Sequence, residues 1–263
     1  MQSEPHAPRL LADIGGTNAR FAWQACSGAA LEAQATLACS DYATLELAMQ
    51  AYLERVQRPR PVQAAIAIAN PVYGDQVQMT NHHWSFSIAA LRQRMGLQQL
   101  EVLNDFVALA LALPDLLVGE KRLLTGCELK PGSGVQGNSR SPSGPLALIG
   151  PGTGLGVSGL LPMPQGGWLP IAGEGGHVTL AACNPREQRM LEALQQRYGH
   201  VSAERAISGG GLVDLYQVLC CADSCSPNDW TAAQISAAAL QGHPQAREAL
   251  ELRLPGITES ARI

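Results

Sequence analysis

The chain has 263 residues, of which 46% are hydrophobic and 15% are charged, and its formal net charge is −4. This composition is typical of globular domains and excludes an intrinsically disordered chain. The sequence has no Lys/Arg run, which argues against a nucleic-acid or anionic-membrane surface, because both need clustered positive charge.

The sequence contains no stretch of eighteen apolar residues, so no transmembrane helix is expected. The segment Met1–Pro8 is short and polar, and it lacks the basic and apolar regions of a signal peptide. The expected location is therefore the cytoplasm.

In the first half, apolar residues recur with the periods of strands and helices. Two apolar runs, Arg9–Ile14 and Ala19–Trp23, flank a glycine-rich turn and predict a β-hairpin. The other predicted elements are, in chain order, a strand over Leu31–Ala38, a helix over Tyr42–Val56 with Asp41 or Thr44 as its N-cap, a buried strand over Ala64–Ala69, a helix over Ser87–Met95 capped by Ser87, a strand over Leu100–Leu103, and a helix from Asn104 to Leu113.

The second half begins after a loop of Gly, Ser and Pro over Lys130–Pro145. Strands are predicted over Leu146–Ile149 and Val157–Leu161, on either side of a second glycine-rich turn. Strand, glycine turn and strand therefore occur twice, which suggests two related halves around a cleft. Helices are predicted over Glu187–Tyr198, Leu212–Cys221, Thr231–Leu240 and His243–Leu252, the last ended by Pro255-Gly256, and Arg205–Ser208 has a strand-like pattern.

The seven cysteines are odd in number and scattered, which argues against a disulfide framework. Cys220, Cys221 and Cys225 do cluster, but the sequence has no CxxC and no obvious further ligands for zinc. We interpret this cluster as thiols carried by a helix.

The first glycine turn predicts a phosphate site. Glycines let backbone N–H groups approach an anion closely, and successive N–H groups form an anion-binding nest. The glycines of this turn are Gly15 and Gly16, and Thr17 and Asn18 add side-chain donors. Asp13, at the end of the strand, has a carboxylate that can hold Mg²⁺ directly or through water. The alternative is an ordinary tight hairpin whose aspartate caps the turn.

The second glycine turn, with Gly152, Thr153 and Gly154, offers matching N–H groups from the other half. No GxxxxGK[ST] motif is present, which excludes a P-loop. The run Gly154–Gly159 matches the GxGxxG dinucleotide fingerprint, so an NAD-dependent dehydrogenase is an alternative. It is disfavoured because Leu160–Pro164, with its two prolines, cannot begin the regular helix that the fingerprint requires.

Polar residues at a predicted strand end suggest a sugar site. Asn104 and Asp105 follow a strand and open a helix, which is where open α/β sheets bind ligands. Asp105 is a candidate to take a proton from a hydroxyl, and Asn104 to hold the same ligand. The alternative is that they only cap the helix.

The segment Gly173–His177 combines a carboxylate, an imidazole and three glycines, which suits the close approach of a polyol. Glu174 and His177 are its candidate ligand residues, and the alternative is a flexible turn. Glu204 is a weaker candidate that, taken alone, is a surface charge. The pair His82-His83 is interpreted as structural or peripheral.

Six motifs, in the same order, resemble those of the bacterial glucokinase family, over about Leu10–Leu252. They are Asp13-Ile-Gly-Gly-Thr-Asn-Ala-Arg20, Met79-Thr-Asn-His82 with Trp84, Asn104-Asp-Phe106, Gly152-Thr-Gly-Leu-Gly156, Gly173-Glu-Gly-Gly-His-Val178, and His200-Val-Ser-Ala-Glu-Arg205 with Ser208-Gly209.

This resemblance implies an α/β protein of the actin-like ATPase (ribonuclease H-like) fold, with two domains around a cleft. Residues 1–112 would form the small domain, with the first phosphate turn and the catalytic aspartate. Residues 113–263 would form the larger domain, with the second phosphate turn and sugar-binding residues. A homodimer is also expected from the family, and a zinc site is not, because the family's CxCGxxGC signature is missing.

The implied activity is ATP- and Mg²⁺-dependent phosphorylation of D-glucose to glucose 6-phosphate, the first step of glycolysis. The resemblance implies that Asp105 is the general base and that Asp13 serves the metal. It assigns the two glycine turns to the nucleotide phosphates. It assigns the sugar hydroxyls to Asn104, Asp105, Glu174, His177 and Glu204.

The resemblance fades at Arg253, and the tail Pro255–Ile263 differs from the helix expected there. The sequence therefore predicts a C-terminally incomplete second domain. The alternative to an active kinase is a weak or inactive relative that still binds sugar.

Overall fold

The computed structural model describes residues 7–80, 82–116, 120, 144–152 and 154–260. The chain divides into two compact units, Met1–Leu109 and Ala110–Ile263. The division falls three residues before the predicted boundary at residue 112, and the roles assigned to the two domains stay a prediction. Most of the predicted loop over Lys130–Pro145 lies outside the described residues.

The first unit is built on a five-stranded sheet with the order β3-β2-β1-β4-β7. Its strands are β1 (Arg9–Ile14), β2 (Asn18–Gln24), β3 (Leu31–Ala38), β4 (Gln63–Ile68) and β7 (Gln99–Asn104). The pairs β1–β2 and β2–β3 are antiparallel, while β4 is parallel to both β1 and β7. The predicted hairpin and the three other predicted strands are confirmed.

Alternating side chains of this sheet supply one apolar core. Leu10 and Ile14 of β1 and Ile66 and Ile68 of β4 are almost fully buried, as expected when every second residue of a strand faces the same layer. Tyr52 packs into the same core and stacks on Phe21 of β2 at 5.1 Å between ring centroids.

Three helices and a small hairpin complete this part of the chain. The helices are α1 (Leu45–Val56), α2 (Ile88–Arg94) and α3 (Asp105–Ala112), and the hairpin pairs β5 (Gln76–Gln78) with β6 (Ser85–Ser87). The hairpin was not predicted, because strands of three residues give too short a pattern to detect.

The N-cap of α1 is Thr44, one of the two residues that the sequence left open. Its Oγ1 accepts a hydrogen bond of 3.2 Å from the amide of Leu47. The other candidate, Asp41, lies in a separate 3-10 turn over Cys39–Asp41.

We predict that Thr44→Ala lowers the free energy of unfolding by about 1 kcal/mol, because it removes the acceptor for a helix N–H group. Urea denaturation followed by circular dichroism measures the change. The matched variant Asp41→Ala should shift stability by no more than about 0.5 kcal/mol. A larger loss in Asp41→Ala than in Thr44→Ala would contradict this assignment of the cap.

The second unit contains a three-stranded antiparallel sheet with the order β10-β9-β8. Its strands are β8 (Leu146–Pro151), β9 (Leu155–Pro162) and β10 (Trp168–Gly173). The second hairpin around a glycine turn is thus confirmed. Strand β10 was not predicted; it contains Pro170, which is tolerated in edge strands because they leave N–H groups unpaired.

Five helices follow: α4 (Pro185–Tyr198), α5 (Ala203–Ile207), α6 (Gly209–Ala222), α7 (Ala232–Leu240) and α8 (Pro244–Ser260). The core that they form centres on Leu194, Leu212, Leu219 and Ile235. Within the described ranges, no helix is both long and apolar enough to cross a membrane.

Two predictions in this region were wrong. The strand-like pattern at Arg205–Ser208 belongs to the end of a short helix, α5, because Ser202 caps its first turn by accepting from the amide of Arg205 at 3.1 Å. Helix α8 was expected to end at Pro255-Gly256 but continues to Ser260. A proline removes one intrahelical hydrogen bond, and here the backbone stays helical despite that loss.

Candidate active site

The first group of candidate residues lies at one edge of the sheet in the first unit. Ile14 of β1 pairs in register with Ile68 of β4, and Ile68 pairs with Asn104 of β7. The carboxyl ends of these three parallel strands therefore meet at the same edge. The first glycine turn follows β1 there, and Asn104-Asp105 follows β7 at the same level.

The first glycine turn is held by backbone hydrogen bonds. The amide of Gly15 donates to the carbonyl of Asn18 at 2.9 Å, and the amide of Cys39 donates to the carbonyl of Thr17 at 2.8 Å. The first bond closes the hairpin between β1 and β2, and the second ties it to the end of β3. The sequence-predicted residues Asp13, Gly15, Gly16, Thr17 and Asn18 are thus brought together in one constrained turn.

Asp13 forms an ion pair that the sequence did not predict. Its Oδ2 accepts from Nη1 of Arg20 at 2.8 Å, and both side chains are more than half exposed. The two residues are directly opposed across β1 and β2, and opposed charges at such positions attract. The register of the hairpin, which places Arg20 opposite Asp13, is the signal that could have identified Arg20 as the partner of Asp13.

Asn104 acts as a helix cap in this structure. Its Oδ1 accepts from the amides of Phe106 at 3.0 Å and Val107 at 3.3 Å. Its Nδ2 donates to the backbone carbonyl of Asn70 at 3.4 Å. Asn104 therefore has the helix-capping role that the sequence left open as an alternative. These hydrogen bonds also fix the direction of the chain that leads into Asp105.

Asp105 is a half-buried carboxylate at the first position of α3. Burial raises its pKa above the ordinary value, and the negative charge of Asp13 adds to the rise. The amide of Phe106, which donates to Oδ1 at 2.9 Å, opposes the shift. A carboxylate with a raised pKa holds a proton more strongly, which makes it a better general base.

Asn70 is a supporting residue that sequence reasoning missed. It is buried, with 7% of its surface exposed, and its Oδ1 accepts from the amide of Thr80 at 3.0 Å. Its carbonyl receives the bond from Asn104. The sequence gives no signal for this role, because a loop pattern does not show which polar groups become buried.

The second group of candidate residues lies in the second unit, around the other glycine turn. The amide of Gly152 donates to the carbonyl of Gly154 at 2.8 Å, and the amide of Gly209 donates to the carbonyl of Gly152 at 3.0 Å. The first turn of α6 therefore contacts this glycine turn, a contact that the sequence did not predict. Thr153 lies outside the described residues.

Glu204, the weakest sequence candidate, connects this turn to His177. Its Oε2 accepts from the amide of Leu155 at 2.9 Å. Its Oε1 lies 3.6 Å from Nε2 of His177. A Cβ added to Gly154 would come within 2.5 Å of Oε2 of Glu204, so the glycine is needed for the carboxylate to reach the turn.

The segment with Glu174 and His177 forms a 3-10 turn packed onto β9. The amide of His177 donates to the carbonyl of Glu174 at 2.9 Å. Gly176 lies directly against the carbonyl of Leu155, where any Cβ would clash. Glu174 and His177 are both exposed and lie on the same turn, and the structure brings His177 and Glu204 together.

We predict that Gly176→Ala destabilises this turn by about 1–3 kcal/mol, because its Cβ would overlap the backbone of β9. Urea denaturation measures the loss. Gly173→Ala is the matched control, since a Cβ there meets nothing within 4 Å. Equal stability of the two variants would show that the turn does not pack on β9 as described.

Comparisons with known proteins agree on one family. A family profile described as "Glucokinase" matches residues 10–258. A glucokinase from Chromobacterium violaceum is 49% identical over 246 residues, which cover 93% of this chain and 67% of that protein. A glucokinase from Aromatoleum aromaticum is 50% identical over 249 residues, which cover 93% of this chain and 71% of that protein.

A solved structure shows the same relationship. The crystal structure of a glucokinase from an Antarctic psychrotroph matches with a TM-score of 0.81 and 32% identity, covering 97% of this chain and 77% of that one. The fold is that of the actin-like sugar kinases, as the resemblance implied. The chain belongs to the glucokinase family, whose members transfer phosphate from ATP to glucose.

The dehydrogenase alternative is wrong. Gly154–Gly159 does not open a helix, because Leu155–Pro162 forms β9, which pairs with β8 and β10. The dinucleotide fingerprint places the pyrophosphate at a helix N-terminus, and the structure has a strand at that point.

Proposed function

We propose that this chain phosphorylates the 6-hydroxyl of D-glucose with ATP and that Asp105 is the general base. The observation that carries this proposal is the half-buried carboxylate of Asp105, whose pKa is raised, at the sheet edge that also bears a glycine turn. The proposal takes its substrates from the glucokinase family. A cytoplasmic location and a homodimer remain predictions from the sequence.

The chemical step depends mainly on positioning and charge neutralisation. Free aspartate has a pKa of ~3.9, and burial raises the pKa of Asp105 above its ordinary value, which makes it a stronger proton acceptor. The carboxylate orients the hydroxyl and accepts its proton as the new phosphorus–oxygen bond forms. Such base catalysis is typically worth about 10²–10⁴-fold in rate.

The glycine turns are the proposed phosphate sites, and Asp13 is the proposed metal residue. Mg²⁺ prefers oxygen ligands and usually keeps several waters, with one or two carboxylates and the substrate phosphates. The exposed carboxylate of Asp13 suits that requirement, and Arg20 keeps it oriented. When bound with ATP, Mg²⁺ neutralises negative charge on the phosphates.

The sugar hydroxyls are assigned to Asn104, Glu174, His177 and Glu204. A carboxylate accepts hydrogen bonds from vicinal hydroxyls, and a histidine donates or accepts. The proximity of His177 to Glu204 supports a shared role for these two residues. The Oε2 of Glu204 is already used by the amide of Leu155, which leaves Oε1 to face a hydroxyl.

We predict that Asp105→Asn lowers kcat for glucose-dependent ADP release by about 10²–10⁴-fold, because the amide cannot accept the proton. The matched control is Asp115→Asn, an exposed aspartate in a 3-10 turn, which should retain activity. Turnover by Asp105→Asn at the parent rate would overturn the role of Asp105. A folded parent chain that gains thermal stability from glucose but shows no turnover would instead support the sugar-binding alternative.

Asp105→Asn, which should lower kcat, should raise the stability of the folded chain at neutral pH. Because the folded-state pKa of Asp105 is raised, stability is lost as the pH rises from the unfolded-state pKa through the folded-state pKa. Asp105→Asn removes this cost, so its Tm should exceed that of the parent at pH 7. The difference should disappear at a pH below both pKa values. Thermal melts across this range, with Asp115→Asn alongside, test the prediction, and a lower Tm at pH 7 would contradict it.

A further inference from the structure

Helix α6 ends in a Schellman motif, a cap with two characteristic hydrogen bonds. The amide of Ser224 donates to the carbonyl of Cys221 at 3.2 Å, and the amide of Cys225 donates to the carbonyl of Cys220 at 2.9 Å. Ser224 has a φ of 56°, the left-handed conformation that this motif requires after the C-cap residue Asp223.

A Schellman motif brings two particular side chains together. Its longer hydrogen bond joins the third residue from the helix end to the second residue beyond the cap, and the side chains of these two residues commonly touch. In most proteins they are apolar, but here both are cysteines, Cys220 and Cys225. The two side chains are near enough to interact electrostatically, which agrees with the contact that the motif predicts.

The two thiols differ in their exposure to an oxidant. Cys220 is 1% exposed and belongs to the helical core of the second unit, whereas Cys225 is exposed in the turn. Burial raises the pKa of Cys220 to about 11. Since the thiolate is the reactive form, the accessible thiol of Cys225 is the one that meets an oxidant first.

We propose that Cys220 and Cys225 are a redox modification site, and that hydrogen peroxide converts them to a disulfide across the cap of α6. The Cys225 thiolate attacks one peroxide oxygen, the O–O bond breaks, and Cys225 sulfenic acid and water form. The Cys220 sulfur then loses its proton, attacks the Cys225 sulfur, and displaces hydroxide, which leaves as water. Two thiols are oxidised by two electrons, and one peroxide is reduced to two waters.

The site lies on a helix that also supports the second glycine turn. Helix α6 runs from Gly209, whose amide donates to the carbonyl of Gly152, to this cap. Next to the thiols, Asp223 forms an ion pair of 2.9 Å with Arg186, which also pairs with Glu248. The disulfide would therefore close a turn that is already fixed by its neighbours.

The test uses the full chain in its folded state. The protein is treated with hydrogen peroxide, free thiols are then alkylated, and tryptic peptides are analysed by mass spectrometry with fragmentation. Cys220, Cys221 and Cys225 fall on one tryptic peptide, residues 206–247. The expected product is this peptide with one alkyl group, on Cys221, and with a mass about 2 Da lower than the same singly alkylated peptide with two free thiols, a difference that a reductant reverses.

Two variants decide between this pairing and others. Cys225→Ser, at an exposed position, should abolish the crosslink, while Cys221→Ser should form it to the same extent as the parent. Circular dichroism confirms that both variants are folded. A crosslink that persists in Cys225→Ser, a bond to Cys221, or sulfinic acid at Cys225 without any crosslink would each overturn the proposal.

Discussion

The parallel pairing of β1, β4 and β7 is the constraint on which the first half of the site depends. In-register hydrogen bonding places Ile14, Ile68 and Asn104 side by side, so the chain leaves all three strands at one sheet edge. A slip of one residue would turn every side chain to the opposite face. The electrostatic effect of Asp13 on Asp105 is a direct consequence of this register.

A second theme is that several candidate residues already have hydrogen-bonding partners within the protein before any ligand binds. Asn104 caps α3, and Glu204 accepts from the amide of Leu155. Asp13 forms an ion pair of 2.8 Å with Arg20. Side chains oriented in this way lose little conformational freedom when a substrate arrives, and such preorganisation favours catalysis by positioning. Partial burial disfavours the ionised form of Asp105 and so lowers the stability of the folded chain at neutral pH. Such a loss of stability is common at catalytic groups.

The two glycine turns show why residue type and tertiary contact must both be considered. Their glycines are recognisable in the sequence as sites of close backbone approach. Only the structure shows what approaches: the carboxylate of Glu204 at Gly154 and the first turn of α6 at Gly152. Glu204 looked like a surface charge in the sequence because its partners, Leu155 and His177, are distant along the chain.

The sequence by itself determined most elements, both glycine-turn hairpins and the family, since hydrophobic periodicity and motif order are local properties. It also supplied the candidates Asp105, Glu174 and His177. The tertiary structure decided what depends on contacts distant in sequence: the Asp13–Arg20 pair, the burial of Asn70, and the helical state of Ala203–Ile207. Helix α8 continues past Pro255, although the local breaker signal predicted its end there. Strand order and register are set by packing across the sheet, which no local pattern contains.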